Sequence, residues 1–146
     1  MIRRIALAAL VAGGFAAAAS AALNPIETRK NMMKTVGASA KVLGDMAKGD
    51  MPYDGARAQL AFRTIASAAA GYQFYFPDNS KTGGETEAKA TIWENKADFN
   101  ARTEKLSADA LAAVEPAGKD LNSMKGAFQK VAENCKGCHE QYRVQK

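Results

Sequence analysis

The stretch 121–142, LNSMKGAFQKVAENCKGCHEQY, predicts both a helix and a functional site. Its apolar residues follow one another at alternating steps of three and four, which is the spacing of one face of an α-helix. They are Leu121, Met124, Phe128, Val131, Cys135, Cys138 and Tyr142. Both cysteines therefore lie on the inward face of the predicted helix.

Within this stretch, Cys135-Lys136-Gly137-Cys138-His139 has the spacing of a c-type haem attachment site. Positions i, i+3 and i+4 share one face of a helix, so two thioethers and an axial imidazole can meet one porphyrin. His139 is the only histidine in the chain. We therefore expect one covalent haem c, held through Cys135 and Cys138, with His139 bound to the iron.

A Cys-x-x-Cys pair has two other common uses. A structural zinc site needs four ligands, whereas the chain has two cysteines and one histidine, so zinc would require a carboxylate or a second chain. A thiol redox pair usually places its first cysteine at a helix N-terminus. Here the pair comes near the end of a long helical stretch, which favours haem.

Working outward, three further amphipathic helices are predicted. The first covers about 25–48, with Pro25 in its first turn. The second follows Asp54 as its N-cap and continues to Phe76, and the third covers about 89–114. The sequence thus predicts an all-α fold, an antiparallel up-down-up-down four-helix bundle with the haem bound covalently near the C-terminus.

Composition supports a single helical domain and excludes some functions. The 146 residues are 47% apolar, with much alanine and few aromatic residues. The net charge of +5 falls to +3 without Arg3 and Arg4, because 18 basic then face 15 acidic residues. This dispersed charge does not favour nucleic acid as a partner. No phosphate loop or Ser/His/Asp set is present, and we expect a protein that is not an enzyme.

The N-terminal stretch resembles a secretory signal. Arg3 and Arg4 precede an apolar stretch, 5–19, and small residues follow it. We predict that 1–22 is a cleaved signal peptide and that 23–146 is the cytochrome domain. The mature chain would then be periplasmic, without a membrane span, in an oxidising compartment.

The sequence resembles the class II cytochromes c, the four-helix bundles that include cytochrome c′. Three stretches carry the resemblance: Cys-Lys-Gly-Cys-His-Glu-Gln-Tyr-Arg at 135–143, Arg-Lys-Asn-Met-Met-Lys at 29–34, and Ile92-Trp93 with Asp98-Phe99. They fall in the expected order and span nearly all of the predicted domain.

The resemblance implies roles for particular residues. Cys135 and Cys138 match the thioether cysteines and His139 the axial ligand. Arg29 matches an arginine near a haem propionate, although an ordinary solvated helix charge is the alternative. Arg143 matches a basic residue on the proximal side, and a solvated terminus is equally compatible with the sequence.

The sixth iron ligand remains open at this stage. Met33 matches a first-helix position that ligates iron in the low-spin branch of the family and packs over the distal face in the five-coordinate branch. We favour ligation, with Met32 as the second choice, because Met/His pairs suit electron-transfer cytochromes.

Two functions follow from these alternatives. The first is an electron carrier that meets redox partner proteins at an exposed haem edge. The second is a five-coordinate cytochrome c′ that binds a diatomic gas, nitric oxide or carbon monoxide, as a sensor or scavenger. The resemblance also implies a homodimer through the first two helices, and the sequence places small residues, Ala61, Ala68 and Gly71, on the expected outer face of the second helix.

Overall fold

The computed structural model describes residues 24–145, and four long helices make up most of this part of the chain. They are α1 (Pro25–Lys48), α2 (Gly55–Ala70), α4 (Lys96–Ala117) and α5 (Leu121–Tyr142), with the single-turn α3 (Thr91–Glu94) before α4. Two 3-10 turns, Tyr72–Tyr75 and Asp78–Ser80, follow α2. Over the described residues the only strand-like pairing is one antiparallel bridge, between Ala88 and Arg143. The predicted all-helical fold is confirmed.

The helix ends follow from local chemistry. The side chain of Asn24 accepts hydrogen bonds from the backbone N–H of Ile26 and Glu27 at the start of α1. Asp54 and Asp120 cap α2 and α5 in the same way. Each cap satisfies N–H groups that have no partner inside the helix. At its other end, α1 stops at Gly49, whose φ of 88° is in the left-handed region that glycine adopts without strain.

Two predicted helices differ from the structure. The second was predicted to continue to Phe76, but α2 ends at Ala70 and a 3-10 turn carries the chain onward. The third was predicted as one helix from about 89 to 114, whereas it breaks at Asn95 and extends to Ala117. Pro116 does not stop it earlier, because a proline in the last turn removes only one hydrogen bond at an end that is already fraying.

The interior consists of two apolar clusters. The main cluster is aliphatic and joins all four long helices, with fully buried residues that include Leu43, Phe62, Ala110 and Met124. The second is aromatic and is built on Phe76, Ile92, Phe99 and Tyr142. The phenyl rings of Phe76 and Phe99 meet edge to face, with centroids 4.7 Å apart. The two clusters meet at the C-terminal part of α5.

Consecutive long helices pack side by side, and α5 closes the bundle against α1. A Cβ built on Gly44 would lie 3.8 Å from Cε1 of Phe128, so α1 and α5 are in close contact at that level. Ala61 was expected on the outer face of α2, but it is 6% exposed and belongs to the main cluster. Of the three small residues expected at a dimer interface, Ala61 is therefore buried inside the bundle.

Between residues 24 and 145, none of the helices has the length and apolar character needed to cross a membrane. The predicted signal peptide, 1–22, lies outside the described residues.

Burial in the main cluster predicts that two leucines contribute very differently to the free energy of unfolding. Leu43 is 0% exposed and Leu60 is 63% exposed. Leu43→Ala removes buried methyl groups and leaves a cavity, so we expect it to lower the free energy of unfolding by about 2–5 kcal/mol. Leu60→Ala is the matched control and should change it by less than about 0.5 kcal/mol. Guanidinium denaturation of the haem-loaded protein checks both, and equal losses would contradict this packing.

Candidate haem site

The C-terminal third of α5 presents two thiols and an imidazole on one side of the helix. Cys135 is the fifteenth residue of α5, far from the helix N-terminus where a reactive thiol pair is expected. Cys135 packs against the main cluster and Cys138 against the aromatic cluster. Burial raises the pKa of both thiols, which is the opposite of what a thiol oxidoreductase requires. The arrangement therefore does not favour the thiol redox alternative.

The zinc alternative also finds no support in the side-chain positions. Among residues 24–145, no group of three or more His, Cys, Asp or Glu side chains is arranged to hold a metal ion. Cys135, Cys138 and His139 are therefore not joined by a carboxylate that would complete a tetrahedral site.

His139 is half-buried and lines a surface cavity of about 250 Å³, together with Arg143, Val144 and Gln145. Its partial burial lowers the pKa of the imidazole, and the positive charge of Arg143 acts in the same direction. A lowered pKa favours the neutral imidazole, the form that binds a metal. The surroundings of His139 thus favour the neutral imidazole, which is the form that an axial ligand needs.

Helical geometry brings Met33 of α1 to about the same level of the bundle as His139. Gly44 and Phe128 mark where α1 and α5 meet. Because the two helices run in opposite directions, moving eleven residues back from Gly44 reaches Met33, and eleven forward from Phe128 reaches His139. Eleven residues span about 16 Å, or about three helical turns. Met33 therefore lies on nearly the same face of α1 as Gly44, and His139 on nearly the same face of α5 as Phe128. Met33 also packs against the main cluster, so its side chain faces inward.

Arg29 lies one turn before Met33 and is buried, with only 2% of its surface exposed. Its guanidinium stacks over the rings of Phe76 and Trp93, at 4.7 and 5.5 Å from their centroids. Burial lowers its pKa, although a guanidinium stays charged at any ordinary pH. The alternative of a solvated helix charge is therefore wrong.

The partners of Arg29 are neutral oxygen atoms. Its terminal nitrogens donate to the carbonyl groups of Tyr75 and Ser80 and to the hydroxyl groups of Ser80 and Thr86, at 2.9–3.3 Å. Among residues 24–145, its Nε–H finds no hydrogen-bond partner. Among the ion pairs of the described residues, none joins a carboxylate to Arg29. A buried cation with one free donor is suited to an anionic group of a bound cofactor.

Arg143 lies one turn beyond His139 and is 51% exposed at its side chain. It is not an isolated solvated charge, because its Nε and Nη2 both contact the carboxylate of Glu87 at 2.7 Å. This ion pair joins the end of α5 to the segment that precedes α3. Sequence patterns gave no indication of Glu87, since it lies in a loop without periodicity.

A second group that the sequence did not indicate surrounds Tyr142. Its hydroxyl donates to the carboxylate of Asp98 at 2.5 Å, and Nε of Arg102 donates to the same oxygen at 2.7 Å. These two donors lower the pKa of Asp98. Nη1 of Arg102 would lie 3.5 Å from a Cβ at Gly137, so the guanidinium covers the short segment between the cysteines. The group fixes α4 against the haem-attachment turn of α5.

These residues match the chemistry of a haem. Two thiols suit its vinyl groups, an imidazole and a thioether suit its iron, and the unpartnered Nε–H of Arg29 suits a carboxylate. Aliphatic and aromatic clusters flank the two cysteines and provide apolar contacts. A helical bundle that carries Cys-x-x-Cys-His on its last helix belongs, as a class, to the helical c-type cytochromes.

Comparisons with known proteins identify the family. The sequence profile of cytochrome c′ matches residues 24–143. The chain is 37% identical to a cytochrome c′ of Rhodopseudomonas palustris over 99% of this chain and 97% of the relative. It is 35% identical to a cytochrome c-556 of Agrobacterium fabrum over 95% of this chain and 94% of the relative.

A solved structure of cytochrome c′ from Rhodopseudomonas palustris is also similar. Its TM-score is 0.81 at 38% identity, over 85% of this chain and 98% of the other. The protein therefore belongs to the cytochrome c′ family of class II cytochromes c. It is a c-type cytochrome, and the family binds one covalent haem c, so the predicted cofactor is confirmed.

The Tyr142–Asp98 contact predicts a pH-dependent contribution to stability. Burial, followed by the hydrogen bond to Asp98, raises the pKa of Tyr142 to about 12. Unfolded chains lose this proton near pH 10, so the folded chain holds it over a range where the unfolded chain does not. The stabilisation is complete below pH 10 and is lost as the pH rises toward 12.

Tyr142→Phe tests this contribution. We expect the variant to be less stable than the wild type at pH 8, with a gap that narrows between pH 10 and 12. Denaturant titrations of both proteins at several pH values measure the gap, and Tyr75→Phe is the control, since Tyr75 lies outside this hydrogen-bonded group. A gap that stays constant with pH would contradict the assignment.

Proposed function

We propose that the protein carries single electrons in the periplasm through its covalent haem and is not an enzyme. In this proposal, Cys135 and Cys138 form the thioethers, His139 binds one face of the iron and Met33 the other. The proposal is supported by helical geometry, because counting from the Gly44–Phe128 contact brings Met33 and His139 to a similar level of the antiparallel α1 and α5. A Met/His pair that stays bound in both oxidation states limits reorganisation during electron transfer.

Arg29 has a supporting role in this proposal. Its buried charge and its unpartnered Nε–H are suited to one haem carboxylate. A charge-assisted hydrogen bond to such a group would compensate the cost of burying the guanidinium. The haem would then lie near the C-terminal end of α5, between the aliphatic and aromatic clusters, with an edge available to redox partner proteins.

A second function has its own supporting observation. Met33 packs against the main cluster in the way that an ordinary core residue does. Methionine fills irregular apolar space well, so Met33 would also suit a packing role over an open distal face. The haem would then be five-coordinate and would bind nitric oxide or carbon monoxide.

The proposal also includes export of the chain and formation of a homodimer. We expect removal of residues 1–22 and transfer to the periplasm, where the cysteines are joined to haem. A homodimer is proposed as well, since one solved cytochrome c′, 25% identical, is described as undergoing ligand-controlled dimer dissociation. Of the remaining small residues, Gly71, the C-cap of α2, has open space around it, whereas Ala68 packs partly against the core.

Covalent attachment gives a direct test of the cysteine assignments. The haem should stay with the polypeptide after acid–acetone extraction, and the intact mass should equal the chain from about residue 23 plus one haem. Cys135→Ala and Cys138→Ala should each leave one thioether, and the double variant should release its haem completely. Release of the pigment from the wild-type protein would refute this assignment.

The role of Met33 is tested by comparing two neighbouring methionines. Met33→Ala should convert a low-spin ferric spectrum to a high-spin one and remove the near-infrared band of methionine-to-iron charge transfer. It should also lower the free energy of unfolding, by less than the roughly 2–5 kcal/mol of a fully buried methionine, because Met33 is only partly buried.

Met32→Ala is the control and should leave the spectrum unchanged. A wild-type protein that is already high-spin would show that Met33 only packs, and would favour the gas-binding function.

A further inference from the structure

A short segment contacts both helices that carry the proposed iron ligands. Residues 86–89, here called the tether, lie between the 3-10 turns and α3. They bond to Arg29 of α1 on one side and to the last turn of α5 on the other. The tether therefore connects the helix of Met33 to the helix of His139 at the end of the bundle where both residues lie.

The connection to α1 depends on one hydroxyl group. Oγ1 of Thr86 accepts a hydrogen bond from Nη2 of Arg29 at 3.0 Å and another from the backbone N–H of Ala88 at 3.2 Å. Arg29 also donates to both oxygens of Ser80, which holds the preceding turn in place. Since the guanidinium is buried, these bonds are shielded from competing water.

The connection to α5 is a short antiparallel pairing. The N–H of Val144 donates to the carbonyl of Glu87 at 2.8 Å, and the N–H of Lys89 donates to the carbonyl of Tyr142 at 2.9 Å. Outside this pairing, the carboxylate of Glu87 binds Arg143 at 2.7 Å. Backbone and side-chain contacts thus hold the tether to the turn that follows His139.

The main cluster does not provide this connection. Its fully buried members on α1 begin at Val36, and those on α5 end at Val131. Met33 and Cys135, which lie beyond these positions, are only partly buried. At the haem end, the separation of α1 and α5 therefore depends on contacts outside the aliphatic core.

We propose that the tether sets the separation of α1 and α5 across the haem, and so determines how closely the first helix approaches the distal face of the iron. Thr86 and Glu87 act as positioning residues, because they contact Arg29 and Arg143 and neither iron ligand directly. The proposal rests on the proposed ligation by His139, and its spin-state readout rests on Met33 as well.

Thr86→Val in the haem-loaded, full-length protein tests the α1 side. Valine has nearly the same shape and removes both acceptor bonds, so α1 should move away more readily. We expect carbon monoxide to bind the ferrous protein about tenfold faster, the change that corresponds to loss of the one hydrogen bond that joins Thr86 to Arg29. The high-spin fraction should rise, and the amides of Lys89 and Val144 should exchange hydrogen faster.

Thr64→Val is the matched control. Its hydroxyl bonds only to the carbonyl of Leu60 within α2, away from the tether. This variant should bind carbon monoxide and exchange the two amides at wild-type rates. If Thr86→Val exchanges faster at the tether but keeps the carbon monoxide rate and spin state of the control, the proposal is wrong.

Glu87→Gln provides an independent variant on the α5 side and replaces Thr86→Val if that protein does not fold. It weakens the contact with Arg143 and should also accelerate carbon monoxide binding. Because both substitutions loosen the same tether between α1 and α5, the double variant should show less than the product of the two single effects. A full product would mean that the two ends act separately and would overturn the proposal.

The spin state of the wild-type protein tests the assignment of Met33 separately from this proposal. A high-spin wild type would refute Met33 as a ligand, and the carbon monoxide rates would then decide on the tether alone. Faster binding in Thr86→Val than in Thr64→Val would support the tether, and equal rates would refute it.

Discussion

Much of this structure depends on the burial of one charge. The guanidinium of Arg29 is taken out of water without a carboxylate among its partners in the described chain, and such burial is costly unless the donors are satisfied. The chain meets this requirement with carbonyl and hydroxyl oxygens and with two aromatic faces. The irregular connection between α2 and α3 folds as it does because it must supply these groups. The Nε–H of Arg29, which has no partner among the described residues, is the donor proposed above for a haem carboxylate.

The division of the core into aliphatic and aromatic parts explains how α5 can hold a cofactor at the boundary between them. Cys135 faces the first part and Cys138 the second, so a group attached to both lies where the two meet. Aromatic rings that pack edge to face give a rigid wall there. Asp98 and Arg102 add polar contacts that hold α4 to the same turn of α5. The turn that presents the cysteines is therefore supported from two sides.

Regular helices were predictable because their signals are local. The bounds of α1 and α5 agree with the sequence pattern, because Pro25 marks the first turn of α1 and apolar residues at helical spacing run the length of α5. The sequence pattern was less reliable at the end of α2. Tyr72 and Phe76 continue the helical spacing beyond Ala70, but in the structure they leave the helix and pack in the aromatic cluster. Ala61 shows a similar limit, since alanine is compatible with a core or a surface and only the neighbouring helices decide between them.

By itself, the sequence determined the chemistry of the attachment turn, since three ligands at i, i+3 and i+4 need only a helix to share one face. It also determined the number of long helices and the family. Tertiary structure alone decided that Arg29 is buried, because its partners lie 46–57 residues away in the chain. It also decided that residues 86–89 contact both α1 and the end of α5. These properties depend on how distant segments pack, and periodicity within one segment carries no information about that.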